Sequence, residues 1–160
     1  MTANKIMPFL WFDNNLEEAM NFYAGVFKEV EIFHVSRAGD GAPVPSGTVM
    51  SASFRINGQD FLGLNGGPMY KFTEAISFFI ECNSQEEIDY YWEKLTAGGE
   101  ESMCGWLKDK FGLSWQVIPS VLGQLLGSPD PEKAGRAMQA MLQMGKLNIA
   151  ALQAAHDGVA

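Results

Sequence analysis

The chain has 160 residues, of which 47% are hydrophobic and 19% charged, and its formal net charge is -8. This balance suits one compact domain or two small modules sharing a core. The acidity excludes a basic stripe for nucleic-acid phosphates and argues against an anionic membrane surface.

No apolar run approaches the roughly 20 residues that span a bilayer, and residues 1–5 carry no charged-then-apolar signal pattern. Cys82 and Cys104 lack the spacing of a disulfide framework or of a metal site. Free thiols in a reducing compartment follow, and the expected location is cytoplasmic.

Residues 6–12 form a short apolar run interrupted at Pro8, which predicts a strand with an irregular start. Asn15 followed by Glu18 has the pattern of a capping box. Leu16, Ala19, Met20, Tyr23 and Phe27 then recur at helical spacing, so a helix is predicted over 16–27. Residues 30–36 alternate as a strand, and 37–47 form a Gly/Pro loop. Residues 48–56 and 59–64 read as strands joined by Asn57-Gly58, a strong type I′ hairpin signal.

The second half repeats this order. Residues 75–81 read as a strand. Ser84 and Glu87 make a second capping box, ahead of Ile88, Tyr91, Trp92 and Leu95 on one helical face. Gly98-Gly99 stops that helix. A short strand near 101–103 and a hairpin over 104–119 follow. Residues echo across the halves: Glu17-Glu18 and Phe22-Tyr23 return as Glu86-Glu87 and Tyr91-Trp92, 69 positions on. Leu10-Trp11-Phe12-Asp13 and Phe78-Phe79-Ile80-Glu81 are both aromatic strands ending in an acid. A duplicated module predicts two like units facing each other rather than a solenoid.

In the hairpin, Gly112 suits a left-handed position after the charged loop 108–112. Alternation sends Leu113, Trp115 and Val117 to one face of the last strand and Ser114, Gln116 and Ile118 to the other. One face can feed a core while the other, with Gln116 at its centre, lines a cavity. The tail, 121–160, reads as short helices. One of them enters through Ser128-Pro129-Asp130-Pro131-Glu132. Met138, Met141 and Met144 cluster there, for core packing or for a dimer contact.

The run Pro8-Phe9-Leu10-Trp11-Phe12-Asp13, the segment Glu17 to Tyr23, and the pattern Ser77/Glu86-Glu87/Asp89/Trp92 resemble the PhnB-like family. So do the hairpin run Cys104 to Gly112 with Trp115-Gln116, and the tail residues Asp130 to Ala134 and Met141 to Met144. That family carries the label 3-demethylubiquinone-9 3-methyltransferase. It belongs to the vicinal oxygen chelate superfamily, with glyoxalase I, extradiol dioxygenases, and the bleomycin and fosfomycin resistance proteins. The resemblance implies an α+β fold of two βαβββ modules (about 1–70 and 71–120) in one domain, 1–120, with a helical extension over 121–160. It also implies a curved sheet enclosing a ligand pocket, and a homodimer.

Enzymes of this superfamily usually hold a divalent metal through four side chains. The resemblance places those positions at about Pro8, near Gly63, at Ile76 or Ser77, and at Gln116. Of these residues only Gln116 coordinates well, and it is neutral, whereas a divalent ion needs several His or carboxylate donors. His34 lies off that set and His156 lies in the tail. The expectation is a pocket without a catalytic metal or other cofactor. No nucleophile constellation is visible either, so whether a reaction is catalysed stays open.

The candidate ligand-binding residues are Phe9, Trp11, Phe54, Ser77, Trp106, Trp115 and Gln116. Aromatic walls with one or two polar handles suit a small aromatic or amphipathic molecule. The alternatives are a metal-dependent glyoxalase or dioxygenase with a non-standard ligand set and, more weakly, a methyltransferase. For the last, the sequence lacks a glycine-rich strand-to-helix turn for S-adenosylmethionine.

Overall fold

The computed structural model describes residues 5–159; residues 1–4, on which the signal-pattern reading mostly falls, lie outside them. The chain divides into two compact units, one ending at Phe72 and the other beginning at Thr73.

The first unit runs β1 (Phe9–Phe12), α1 (Leu16–Val26), β2 (Val30–Arg37), β3 (Val49–Ile56) and β4 (Gln59–Asn65). Its sheet has the order β1-β4-β3-β2. β1 lies parallel to β4, with Phe9 opposite Leu62 and Trp11 opposite Leu64. The β3–β4 hairpin turns at Asn57 (φ 44°) and Gly58 (φ 84°), the paired positive dihedrals of a type I′ turn. α1 packs on β3 and β4 and buries Leu16, Ala19, Met20, Tyr23 and Val26. Leu10, Phe12, Ala52 and Phe54 are buried too. Alternation therefore leaves Phe9, Trp11, Ser51, Ser53, Leu62 and Leu64 on the opposite, open face.

The start of α1 differs from the expected capping box. The Asn15 side chain makes no cap hydrogen bond. Instead Asn65, at the end of β4, accepts from the Leu16 backbone N–H at 3.0 Å and donates through Nδ2 to the Val49 carbonyl at 2.9 Å. A backbone N–H left over at a helix start donates to whatever oxygen lies near. Here the strand supplied one that local sequence could not reveal.

The second unit contains β5 (Ser77–Cys82), α2 (Gln85–Thr96), β6 (Glu100–Glu101), β7 (Trp106–Lys108), β8 (Ser114–Pro119), α3 (Leu122–Leu126), α4 (Pro131–Met141) and α5 (Ile149–Asp157). Its sheet order, β5-β8-β7-β6, repeats that of the first, again with a parallel pair, β5 and β8. The second helix start keeps half of the expected capping box: Ser84 Oγ accepts from Glu87 N at 3.3 Å, while the Glu87 carboxylate accepts from Asn83 N, one residue before the cap, at 2.7 Å. α2 packs on β5, β7 and β8 and buries Ile88, Trp92 and Leu95. In the 69-residue offset these match Ala19, Tyr23 and Val26, which are buried as well.

The tail helices join this second unit through Ile118, which clusters with Leu122, Leu125, Ala137, Leu147 and Leu152; Met141 and Met144 pack against that cluster. A backbone clasp fastens the tail to the hairpin: Cys104 N donates to Met144 O at 2.7 Å and Gly105 N to Gly145 O at 2.8 Å. Cys104 and Gly105 take φ of 59° and 82° to present these donors. A Cβ on Gly105 would lie 2.8 Å from the Val117 carbonyl. Ile118 shares its strand face with Gln116, so the tail covers one end of the face on which Gln116 stands.

Candidate functional site

The open face of the first unit carries a depression of about 330 Å3, lined by Phe9, His34, Ser51, Ala52, Ser53, Leu62 and Gly63. β3 and β4 supply Ser51, Ser53 and Leu62 by alternation, and β1 supplies Phe9. His34 arrives through an irregularity: the β2–β3 register shifts between Ile32 and His34. Such a bulge breaks the alternation of side chains. Phe33 then lies under the Arg55 guanidinium, 4.8 Å from its ring centroid, while His34 stands opposite Ser53.

Beside the depression, Arg55 is engaged. Its Nε donates to the buried Asp60 carboxylate at 2.6 Å, and Nη1 lies 3.8 Å from Glu31. The hydrogen bond to Asp60 raises the Arg55 pKa further above its ordinary value. Two buried polar atoms of β3 have no hydrogen-bond partner: Ser53 Oγ and Arg55 Nη2.

Trp11 is fixed beside this face. Its Nε1 donates to the Gly67 carbonyl at 2.8 Å, and the Tyr70 ring meets it edge-on at 5.0 Å. A Cβ on Gly66 would lie 2.3 Å from the indole, so only glycine lets that loop close on the ring.

On the open face of the second unit, Gln116 Nε2 donates to Ser77 Oγ at 2.8 Å. Gln116 stands between Trp106 and Phe79 in the sheet register. At the hairpin end, Lys108 Nζ pairs with Glu74 at 2.5 Å. The hydrogen bond between them lowers the Glu74 pKa and raises that of Lys108. Ser77, Trp106 and Gln116 therefore gather on one face of the second unit, and Phe9 and Trp11 on one face of the first.

Phe54 and Trp115 do not join them. Phe54 is 0% exposed and stacks on Phe61 at 5.5 Å. Trp115 is 3% exposed and its indole donates to Asp109 Oδ2 at 2.9 Å. Both are corrected to core residues, because the strand alternation turns them away from the open face. His34, Ser51 and Ser53 were missed as lining residues. The bulge that brings in His34 has no sequence signature, and serine on a strand resembles any solvated position.

The register also corrects the metal-site positions. A Cβ on Gly63 would meet Leu16 Cδ1 at 2.5 Å, so that position points at α1. Leu64, paired with Trp11, corresponds to Gln116, paired with Phe79. Phe9, paired with Leu62, corresponds to Ser77, paired with Ser114. The matching open-face positions are then Phe9, Leu64, Ser77 and Gln116: two hydrocarbon side chains and two neutral groups bonded to each other. Phe9 and Leu64 of the first unit offer no donor, and Ser77 and Gln116 of the second offer only neutral ones, so neither pair fits a hard or borderline divalent ion. Among the described residues, no group of three or more His, Cys, Asp or Glu could hold a metal ion, and no helix is long and apolar enough to cross a membrane.

Comparison with known proteins places this architecture. The family model described as 3-demethylubiquinone-9 3-methyltransferase matches residues 4–118. A PhnB protein of Bacillus cereus, described by the same activity, is 38% identical over 73% of this chain and 100% of its own, with a TM-score of 0.68. Protein PA1353 of Pseudomonas aeruginosa shares the fold at 21% identity, over 73% of this chain and 98% of its own, with a TM-score of 0.60. The fosfomycin resistance protein FosX of Listeria monocytogenes, solved with Mn(II) and 1S,2S-dihydroxypropylphosphonic acid, shares it at 18% identity. That match covers 73% of this chain and 92% of FosX, with a TM-score of 0.53. Among curated protein sequences none matches. The chain thus belongs to the PhnB-like family, described as 3-demethylubiquinone-9 3-methyltransferase, within the vicinal oxygen chelate superfamily.

Proposed function

We propose that this protein binds a small aromatic or amphipathic molecule on the open face of its first unit, and that it does so without a catalytic metal. The observation carrying this reading is the 330 Å3 depression with a buried, unpartnered serine hydroxyl in its lining. Its volume lies at the lower end of ligand pockets, which run from roughly 300 to 1,000 Å3. Phe9, more than half exposed at 58%, and Leu62 offer it apolar wall. In the second unit, Trp106 and Phe79 flank the Ser77–Gln116 pair in a similar mixture of ring and polar handle.

The FosX likeness raises the metal-dependent reading, and the donor chemistry of Phe9, Leu64, Ser77 and Gln116 opposes it. The family description raises methyl transfer. Gly66-Gly67 do follow a strand, but no helix begins in residues 68–76, so this glycine pair does not lead into a helix N-terminus that could hold a nucleotide-like methyl donor. A dimer and a cytoplasmic location remain part of the proposal.

The test is a thermal-shift screen of amphipathic aromatic compounds in chelator-treated buffer, followed by amide chemical-shift mapping. Binding raises the unfolding midpoint by mass action, and the expected perturbations centre on Phe9, Ser53 and Leu62. A screen without a single hit, or hits that map only to the tail helices, would refute the reading.

A further inference from the structure

Resting on that binding reading, we infer that Ser53 is the hydrogen-bonding anchor of the ligand and that the pocket selects a neutral oxygen-bearing group over an anion. Ser53 is 6% exposed and lines the depression, and its Oγ has no partner. A hydroxyl in this state lacks the hydrogen bonds it would make in water, and such groups are uncommon in folded proteins. The hydroxyl oxygen has almost no free surface as it stands, so a ligand oxygen restores them once rotation about χ1 turns the hydroxyl into the depression. Since a serine hydroxyl both donates and accepts, a carbonyl, an alcohol or a phenol serves equally.

Charge decides against a carboxylate or phosphonate. The cation nearest in the strand, Arg55, sits on the same face two residues on. It already holds Asp60 at 2.6 Å and lies 3.8 Å from Glu31. One guanidinium with two carboxylates leaves this edge of the face formally negative. Arg55 Nη2 has no hydrogen-bond partner, but it is buried and Arg55 is not among the residues lining the depression, so an anion entering there meets the net negative charge of this edge. The bulge at Ile32/His34 adds a second polar group, since it sets His34 opposite Ser53 at the rim. Phe9 and Leu62 give the aromatic body of the ligand its apolar contact. The inferred ligand is thus a one- or two-ring aromatic compound with an uncharged oxygen at one end.

The experiment is calorimetric titration of the full chain at pH 7.5 with 2-naphthol and its anionic counterpart 2-naphthoate. It is run on the wild type, Ser53→Ala and Phe9→Ala, with the thermal midpoint of each variant recorded. Naphthol should bind about tenfold or more tightly than naphthoate. Ser53→Ala should weaken naphthol about fivefold or more, the worth of one hydrogen bond, while its thermal midpoint stays level or rises. Phe9→Ala should weaken both probes. Equal affinity for the two probes overturns the inference. So does an unchanged naphthol affinity in Ser53→Ala where Phe9→Ala loses it, and in that case the binding site itself stands. Silence from both probes at about 1 mM overturns the anchor; the broader binding reading falls only if the compound screen is silent as well.

Discussion

The indole Nε1 of Trp115 donates to the buried carboxylate of Asp109 at 2.9 Å, across the loop of the β7–β8 hairpin. The other oxygen of that carboxylate accepts from the backbone N–H of Phe111 at 2.9 Å and of Leu113 at 3.1 Å. Gly112 turns the loop at φ 84°. The run Lys108-Asp109-Lys110-Phe111-Gly112 with Trp115 is thus an architectural device. One carboxylate organises a tight loop and pins the tryptophan, whose ring lies tilted against Phe78 at 5.5 Å. The alternate residues, Ser114 and Gln116, stand on the open face instead.

Asp109→Ala leaves three buried or half-buried donors without an acceptor. Each such loss costs about 1–3 kcal/mol, so a destabilisation of roughly 3 kcal/mol or more is expected. Urea unfolding followed by tryptophan fluorescence measures it. A change below about 1 kcal/mol would mean that the loop holds its shape without the carboxylate.

Gly66→Ala inserts a methyl group where the Trp11 indole now lies, at 2.3 Å from the ring. The indole must move, and its hydrogen bond to Gly67 goes with it. Overpacking of this kind costs about 1–3 kcal/mol. The Trp11 indole N–H resonance should shift, and the unfolding midpoint should fall. An unmoved resonance would show that the 66–70 loop does not fix the ring.

Cys82 is fully buried, and desolvation, helped by the charges of Glu87 and Glu81, pushes its thiol pKa up to about 12. The thiolate is the reactive form, so Cys82 should resist a disulfide reagent at pH 8 until the protein unfolds. In a Cys104→Ser background the folded chain should show no fast-reacting thiol, and one thiol should appear in guanidinium chloride. Because the folded pKa is raised above the ordinary value of 9.0, the unfolded chain loses this proton first as pH rises. The stability associated with Cys82 is complete below about pH 9 and declines towards pH 12.

Excess chelator should leave both the thermal midpoint and ligand affinity of the purified protein unchanged, since Phe9, Leu64, Ser77 and Gln116 offer no anionic or imidazole donor. Midpoints before and after exhaustive EDTA dialysis check this. A fall of several degrees that Mn2+ or Zn2+ restores would identify a binding set other than these residues.

Local patterning made the element order legible. Hydrophobic period, capping residues, Asn57-Gly58 and the glycines at 98 and 112 are interactions among near neighbours, so each helix and most strands can be placed from the chain alone. The duplication was legible for the same reason: Ala19, Tyr23 and Val26 and their counterparts Ile88, Trp92 and Leu95 carry one buried stripe twice. Faces and partners were harder. Alternation in the sequence already sets Trp115 on the face away from Gln116. That Phe54 and Trp115 lie on the core side, and Phe9 and Trp106 do not, depends on which face of each sheet its helix covers. The Leu16 cap comes from Asn65, 49 residues away, and His34 reaches the depression through a bulge. Such features depend on which strand lies beside which, a relation carried by long-range packing and absent from any short window of sequence. The same relation leaves the Ser53 hydroxyl buried without a partner.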